Sequence, residues 1–196
     1  LYYWDMWPVQ DRDGNIAHIA GREFWMILTA PDNGDPSGRH FNAKIHLLER
    51  KDAKWVDLGP LLPDFGGPYE REWSGSSIWD QGKYVLWFTG AGLEASPGGY
   101  QQALFETTAN TDSSGLPIEW SSPQPILTDL TPDYIAADAH EGEAGRIKAY
   151  RDPAYFRDPA DKREYLVFSA SHPAGESEYT GAIALAEKVD GKWTLL

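Results

Sequence analysis

Short hydrophobic runs separated by polar turns dominate the sequence. Three examples are residues 23–30 (EFWMILTA), 84–89 (YVLWFT) and 164–170 (EYLVFSA). Runs of this length, rich in aromatic and β-branched residues and bounded by Gly, Pro, Asp and Asn, are typical of β-strands. No segment repeats its hydrophobic positions with the period of a helix. The pattern therefore predicts an all-β fold.

The predicted strands are joined by hairpin turns, and a weak repeat marks them. A lysine followed by an aromatic residue recurs at residues 53–55 (AKW), 82–84 (GKY) and 191–193 (GKW). This repeat favours blades of four antiparallel strands, the unit of a β-propeller. Strands are predicted at 23–30, 42–50, 55–58, 73–77, 84–89, 101–108, 151–156, 164–170, 181–188 and 191–196. Turns and loops are predicted for most of 9–22, 31–39, 59–71, 90–99 and 109–146.

The chain has 196 residues, which is enough for one domain with a hydrophobic core. A blade takes roughly 40–45 residues, so five blades would need about 200–225. Because the loops are long, we expect residues 1–196 to be a single domain holding about three to four blades of a five-bladed propeller. The sequence opens inside an aromatic motif and stops on a predicted strand, so we expect a processed or trimmed piece of a longer protein.

Charge and composition narrow the possible partners. The net charge of −13 disfavours nucleic acid and anionic membranes and suits a neutral substrate. No apolar run is long enough for a membrane-spanning helix. The chain has no cysteine, which excludes disulfides, thiol catalysis and thiolate metal sites and suits a secreted bacterial protein.

Residues 1–8 (LYYWDMWP) place one acid among four aromatic rings. We expect the Asp5 carboxylate to be partly desolvated by Trp4 and Trp7, and therefore to have a partner or a purpose. Indole faces beside an acid also suit a sugar ring, which has apolar faces and polar edges. The alternative is a strand end whose rings belong to the core, with Asp5 capping a turn and Pro8 fixing where the chain turns.

Two further motifs carry candidate chemistry. Residues 72–76 (EWSGS) set small hydroxyls beside an indole, which makes either a hydrogen-bonding corner or an ordinary Ser-rich start of a strand. Residues 151–153 (RDP) place Arg151 beside Asp152, which should keep that carboxylate ionised. A second RDP copy, at residues 157–159, leads into a polar turn. Because the first copy opens an apolar strand, we assign the buried acid to Asp152 and a turn role to Asp158.

The three motifs, in this order, resemble those of glycoside hydrolase family 68, which comprises levansucrases, inulosucrases and bacterial β-fructofuranosidases. The resemblance rests on residues 4–8 (WDMWP), 72–76 (EWSGS), 151–153 (RDP) and 165–168 (YLVF), and it spans nearly the whole chain. It implies a five-bladed propeller with a central funnel and a retaining, ping-pong transfer of fructose from sucrose. Water as acceptor would give hydrolysis, and a sugar acceptor would give fructo-oligosaccharide, levan or inulin.

The resemblance also implies roles for individual residues. Asp5 corresponds to the nucleophile, and Asp152 to the carboxylate that holds fructosyl hydroxyls and stabilises the transition state. The implied substrate-binding residues are Trp4, Trp73, Ser74 and Arg151, with Ser74 hydrogen-bonded to the nucleophile or the sugar. No metal ligand is implied at these positions.

Two departures from the family pattern matter. The family's acid/base Glu lies in a D-E-x-E-R setting after the RDP motif, and this sequence has no such setting. The glutamates that follow Asp152 are Glu164, Glu176, Glu178 and Glu187. We therefore expect a second chain to carry the rest of the propeller and the acid/base Glu. The family also often has a Glu where this chain has Ser169, which leaves the acceptor site undefined.

Other candidate ligands are weaker. The five histidines, at positions 18, 40, 46, 140 and 172, have no paired metal-binding spacing, and we expect structural or surface positions for them. Asp138, Glu141 and Glu143 could bind calcium, but a solvated loop is the simpler interpretation, so no cofactor is predicted. Two alternative functions stay open: a non-catalytic carbohydrate-binding propeller fragment, and an arabinan-type hydrolase that shares only the RDP motif.

Overall fold

The computed structural model describes residues 1–93, 99–137, 148–173 and 180–196. Within these ranges the chain forms fourteen strands and one short 3₁₀ helix, Pro36–Asn42. The strands are β1 (Tyr2–Gln10), β2 (His18–Ile19), β3 (Arg22–Ala30), β4 (Lys44–Lys51), β5 (Lys54–Pro60), β6 (Tyr69–Asp80), β7 (Lys83–Leu93), β8 (Gln102–Thr111), β9 (Pro117–Ile118), β10 (Gln124–Ile126), β11 (Arg151–Arg157), β12 (Glu164–Ser171), β13 (Gly181–Val189) and β14 (Lys192–Leu195). The prediction of an all-β fold is confirmed. In the described parts of the chain, no helix is long and apolar enough to cross a membrane.

The strands form three antiparallel blades of four strands each. The first blade has the order β1-β3-β4-β5, the second β6-β7-β8-β10 and the third β11-β12-β13-β14. The short strands β2 and β9 pair with β3 and β8. A two-residue parallel ladder, Val9 with Ser77 and Gln10 with Ile78, joins the first blade to the second. The described residues therefore hold three blades of a propeller, within the predicted range.

The second blade is buried on both faces, and strand β7 shows why its sequence is a continuous apolar run. Leu86 and Phe88 lie in the core between the first and second blades. Trp87 points the other way, into the core between the second and third blades, where its ring stacks on Tyr155 at 4.8 Å between centroids. Because successive side chains of a strand face opposite sides, a strand between two blades needs apolar residues at every position.

Three predicted boundaries are wrong, each for a tertiary reason. Strand β1 continues through Pro8, which pairs with Trp25, so Pro8 does not end the stretch. A proline is tolerated there because β1 is paired along its other edge only at Val9 and Gln10. Strand β6 begins at Tyr69 and β7 runs to Leu93, in segments that were predicted as loops.

The 3₁₀ helix lies in and just after the predicted loop 31–39, between β3 and β4. Its N-terminus is capped by Asp35, whose carboxylate accepts a hydrogen bond of 2.9 Å from the Ser37 backbone N–H, and Pro36 occupies the first turn. A helix this short has no measurable hydrophobic period, so the pattern could not reveal it. It places a short segment of the first blade beside the three motifs.

Candidate active site

Each of the three motifs lies on the innermost strand of a blade, and each strand has a β-bulge at the motif. The ladder register shifts between Trp4 and Met6 on β1, around Asp5. It shifts again around Ser74 on β6 and around Asp152 on β11. Asp5 and Asp152 have positive φ angles of 47° and 61°, a conformation that aspartate tolerates better than most residues. A bulge redirects the side chain of the extra residue, so the three motifs can converge.

The three bulges line one cavity of about 320 Å³, a volume at the lower end of small-molecule pockets. Its described lining contains two carboxylates, Asp5 and Asp152. The described residues that line it are Trp4, Asp5, Leu28, Ser37, His40, Phe41, Trp73, Ser74, Tyr100, Arg151 and Asp152. All six residues that the sequence singled out as catalytic or substrate-binding are therefore brought together, from three blades.

Asp5 is more open than the sequence suggested. It is exposed rather than enclosed by rings, since Trp7 points into the core between blades and only Trp4 of the neighbouring indoles lines the cavity. Asp5 does have the expected partner, because the Ser74 hydroxyl donates a hydrogen bond of 2.7 Å to its Oδ2. The bulge on β6 thus holds the carboxylate on β1 in a defined orientation.

Asp152 pairs with its neighbour Arg151, whose Nε lies 3.3 Å from Asp152 Oδ2. Burial raises the pKa of Asp152, Arg151 lowers it and the charge of Asp5 raises it, and the combined result is a pKa of about 6. Arg151 favours the ionised form of Asp152, as the sequence predicted, but the cost of burying the carboxylate outweighs the attraction of the cation. Asp152 is nevertheless mostly ionised at neutral pH.

The 3₁₀ helix supplies a wall of the cavity that the sequence analysis missed. The backbone carbonyl of His40 accepts a hydrogen bond of 3.0 Å from Trp73 Nε1. The His40 ring stands edge-on to Trp4 at 5.8 Å and to Trp73 at 6.1 Å between centroids. Burial, together with Arg39, lowers the pKa of His40, so its ring is neutral near pH 7. No motif marks this histidine, and only its place between two indoles reveals it.

Phe41 and Tyr100 extend the same wall, with ring centroids 5.4 Å apart. Phe41 comes from the linker between β3 and β4, and Tyr100 from the segment before β8. Both belong to predicted loops or their edges, which carried no signal of chemistry. The cavity therefore has an aromatic rim from two different blades.

Glu72, the first residue of the EWSGS motif, is buried, and its carboxylate contacts strand β4. Its carboxylate accepts a hydrogen bond of 2.8 Å from the Ile45 backbone N–H and lies 3.1 Å from Lys44 Nζ. Burial raises its pKa, and Lys44 partly offsets that effect. Glu72 thus ties β6 to β4 just before Trp73 and Ser74.

The second RDP copy lies outside the cavity lining. Asp158 sits in the turn after β11, where its carboxylate accepts a hydrogen bond of 2.7 Å from the Ala160 N–H. Glu164 accepts hydrogen bonds from the Tyr155 hydroxyl and from Arg12, at 2.6 and 2.8 Å. These groups are engaged at the ends of strands and not at the cavity.

The remaining candidate acids do not add a proton donor to the described cavity. Glu187 pairs with Arg163 at 3.3 Å on the third blade, and Ser169 lies opposite Arg151 in the β11–β12 ladder. Five other residues lie outside the described part of the chain, namely Glu176, Glu178, Asp138, Glu141 and Glu143. Among the residues that are described, no group of three or more His, Asp or Glu side chains is arranged to hold a metal ion.

The sequence of this chain is similar to those of known proteins. A family model described as Levansucrase/Invertase matches residues 1–189. The extracellular sucrase of Zymomonas mobilis is 30% identical over 181 residues, covering 87% of this chain and 42% of that protein. The levansucrase of Erwinia amylovora is 25% identical over 203 residues, covering 93% of this chain and 47% of that protein.

Solved structures agree with the fold. The inulosucrase of Halalkalicoccus jeotgali, determined with bound kestose, is 28% identical and superposes with a TM-score of 0.83 over 99% of this chain and 52% of that one. The chain spans about half the length of the relatives it matches. The ordered motifs, the three propeller blades and the family match agree, and the chain belongs to the levansucrase/invertase family, glycoside hydrolase family 68.

Proposed function

We propose that this chain forms the fructosyl-binding part of an enzyme that transfers fructose from sucrose to water or to a sugar acceptor. The observation that carries the proposal is the convergence of Asp5, Ser74 and Asp152 in one cavity walled by Trp4 and Trp73. Two carboxylates flanked by indoles suit a sugar ring undergoing glycosidic cleavage. Names of relatives that include sucrase, levansucrase and inulosucrase support sucrose as the donor.

Asp5 is the proposed nucleophile. Its carboxylate is exposed to the cavity and oriented by the Ser74 hydroxyl at 2.7 Å, so one oxygen is held and the other is free to attack the anomeric carbon. Attack forms a bond from Asp5 to the fructosyl carbon and breaks the glycosidic bond, so glucose leaves. Water or a sugar hydroxyl then displaces Asp5, and the configuration is retained.

Asp152 is the proposed transition-state stabiliser. Its carboxylate, paired with Arg151 in the same cavity, can accept hydrogen bonds from fructosyl hydroxyls. Negative charge close to the ring stabilises the positive charge that develops in an oxocarbenium-like transition state. Trp4 and Trp73 would pack against the apolar faces of the sugar.

The departing glucose needs a proton, and the described cavity offers no third carboxylic acid. Asp5 and Asp152 are the carboxylates of the described lining, and neither can serve as donor while it fills its proposed role. This chain covers only 52% of the Halalkalicoccus jeotgali inulosucrase, so the other half of such an enzyme can contain further active-site residues. We propose that a Glu from the rest of the enzyme supplies the proton.

Two blades expose apolar side chains that the rest of the propeller would cover. The exposed large apolar residues of the first blade are Tyr3, Met6, Trp55, Val56 and Leu58. Those of the third blade are Phe156, Ile183 and Val189. In the described residues of the second blade, β6, β7, β8 and β10 have none, and the short strand β9 has one, Ile118. Because such faces and edges are prone to association when uncovered, we propose that a second chain with the remaining blades packs on them.

The second chain is tested by size-exclusion chromatography with mass spectrometry of the natively purified protein. We expect this chain to co-elute with a partner that carries the remaining blades. A single longer polypeptide would contradict a separate partner chain, but it would still support the proposal that further blades cover the exposed apolar faces. A monodisperse species of residues 1–196 that hydrolyses sucrose at an ordinary enzymatic rate would contradict both.

We also propose that the enzyme acts outside the cell. The Zymomonas relative is named an extracellular sucrase, and the absence of cysteine and the net charge of −13 are compatible with a secreted protein that meets a neutral sugar. Detection of activity in the medium or periplasm of the producing cell, rather than in the cytoplasm, tests this location.

The decisive experiment replaces the nucleophile in the complete enzyme. Asp5→Asn keeps an oxygen that can accept from Ser74, so the fold should persist while glucose release from sucrose is lost. A quenched reaction of the unaltered enzyme should add the mass of one fructosyl group to the peptide that contains Asp5. Asp158→Asn is the matched control and should keep wild-type turnover. More than a few per cent of activity in Asp5→Asn would remove Asp5 from the role, and sucrose binding without any turnover by the complete enzyme would favour a carbohydrate-binding module.

A further inference from the structure

The third blade is held against the second by side chains rather than by a strand ladder. Strand β11 and Tyr150, the residue just before it, donate three backbone N–H groups to side chains of the second blade. Tyr150 N–H donates to Gln102 Oε1 at 3.2 Å, and Tyr155 N–H donates to Ser76 Oγ at 2.9 Å. Between them, Asp152 N–H donates to the hydroxyl of Thr89 at 2.8 Å. The position of the RDP motif therefore depends on these acceptors.

Thr89 is the acceptor that contacts two motifs at once. It is fully buried on β7, where it pairs with Trp73 in the ladder. Its hydroxyl accepts from Asp152 N–H and donates to the Ser74 backbone carbonyl at 3.2 Å. A hydroxyl has one donor and two acceptor sites, so one group can serve both neighbours.

The Asp152 N–H and the Ser74 carbonyl both belong to bulges, which explains why they form hydrogen bonds outside their own strand ladders. Ser74 has no ladder partner, since Trp73 pairs with Thr89 and Gly75 with Phe88. Asp152 lies in the register shift between Arg151 and Ala154. An extra residue in a bulge leaves the ladder, and a buried backbone group there needs another partner.

We propose that Thr89 is a positioning residue that fixes Asp152 relative to Asp5. The hydrogen bonds form one chain across three blades: Asp152 N–H to Thr89, Thr89 to the Ser74 carbonyl, and the Ser74 hydroxyl to Asp5. Thr89 is buried behind the motifs and does not line the cavity. Thr89 would act on the reaction by holding the carboxylates of Asp5 and Asp152 at a fixed separation. This inference rests on the proposed function.

Thr107 is a buried threonine that serves as the structural control for Thr89. Thr107 on β8 is as buried as Thr89, and its hydroxyl donates to the Ser121 carbonyl at 2.6 Å. It contacts none of the three motifs and does not line the cavity. Thr107→Val therefore removes a comparable hydrogen bond without altering the positions of Asp5 and Asp152.

The test compares Thr89→Val, Thr89→Ser and Thr107→Val in the complete enzyme. Thr89→Val should lower kcat for sucrose about 10- to 100-fold, since misplacement of a catalytic group by about 1 Å costs up to that much. Thr89→Ser keeps the hydroxyl and should stay within about 3-fold of wild type, because geometry is retained. Thr107→Val should lose thermal stability as Thr89→Val does but keep its kcat.

Hydrogen exchange at the Asp152 amide gives a readout that needs no turnover. Its protection should fall in Thr89→Val and persist in Thr89→Ser and Thr107→Val. If Thr89→Val does not fold, Thr89→Ala takes its place in both measurements. Unchanged kcat and unchanged Asp152 exchange in the variant without the hydroxyl would overturn the proposal. A wild-type enzyme that does not cleave sucrose would refute the proposed function, while the exchange data still decide the role of Thr89.

Discussion

Gly75→Ala is the substitution whose effect the structure defines most sharply. Gly75 follows the bulge at Ser74 and pairs with Phe88 of the neighbouring strand. A Cβ added at Gly75 would overlap the Trp87 carbonyl oxygen and would lie 2.7 Å from Phe88 Cα. Both atoms belong to the backbone of β7, which is buried between two blades. The strands must therefore separate locally, since no side chain can move aside.

The cost follows from how such overpacking is relieved. Forcing a methyl group into a packed core typically costs about 1–3 kcal/mol, and a clash with backbone belongs at the upper end, at about 3 kcal/mol. Unfolding entropy is about 2.1 cal/mol/K per residue, and the relatives are about twice as long as this chain, so about 3 kcal/mol should lower the Tm of the complete enzyme by about 3–5 °C. Separation of β6 from β7 would also move Ser74 away from Asp5, so kcat/KM should fall about 10- to 100-fold.

Differential scanning calorimetry and sucrose kinetics of the complete enzyme measure both effects. Gly181→Ala is the matched control, because a Cβ added there meets no atom within 4 Å. It should change stability by less than about 1 kcal/mol. If Gly75→Ala melts within about 1 °C of the control and keeps its activity, the close approach of β6 to β7 does not govern the site, and the reasoning is refuted.

Five further outcomes test the site and the blades. Asp152→Ala should lower kcat by about 10³-fold or more and Asp158→Ala should cost little, since Asp152 lines the cavity and Asp158 holds a turn; the opposite ranking in steady-state kinetics would reverse the assignment. Because the pKa of Asp152 is raised to about 6 and its proposed role requires the ionised form, activity should fall as pH drops through about 6. Arg151→Gln should move that limb of the pH–rate profile to higher pH, because the Arg151 charge lowers the pKa of Asp152. Glu72→Gln should cost less than about 1 kcal/mol by thermal denaturation, and Glu72→Ala about 2–3, since only alanine leaves a buried N–H of β4 without its acceptor. Arg12→Met breaks ion pairs to the second and third blades and should lower Tm at low salt but less so in 1 M NaCl.

Strands buried on both faces were predictable because the signal is local. Residues 84–88 (YVLWF) and 165–168 (YLVF) are continuous hydrophobic runs, and they lie within β7 and β12. A strand between two cores needs hydrophobic side chains at every position, so the sequence records the environment directly. The four strands of the third blade were predicted from their short hydrophobic runs between polar turns, although that blade leaves Phe156, Ile183 and Val189 exposed.

The start of β6 was not predictable from its residues. Tyr69, Glu70, Arg71 and Glu72 are polar or ionisable and resemble a loop, yet Arg71 and Glu72 are buried inside the strand. Arg71 donates to the Gly99 carbonyl and lies over the Phe41 ring, and Glu72 meets Lys44. These partners are distant in sequence, so the pattern along the chain could not indicate that the charges would be compensated.

The three motifs were visible in the sequence, but their meeting was not. Asp5, Ser74 and Asp152 each appear in a short pattern of distinctive residues, and the resemblance to the family assigned them roles. Their convergence depends on three bulges on three innermost strands, and a bulge is invisible in the period of the sequence. His40 and Thr89 carried no pattern and were missed.

The sequence by itself determined that the chain is all-β, that its strands come in propeller-like groups, and which family its motifs resemble. These properties depend on local periodicity and on the identity of neighbouring residues. The tertiary structure decided that burial raises the pKa of Asp152 and that Thr89 joins two bulges, and it selected Asp5 from the two partners that the resemblance implied for Ser74. The physical reason is that burial, charge compensation and hydrogen bonding between blades depend on residues far apart in the chain, which come together only when the blades pack.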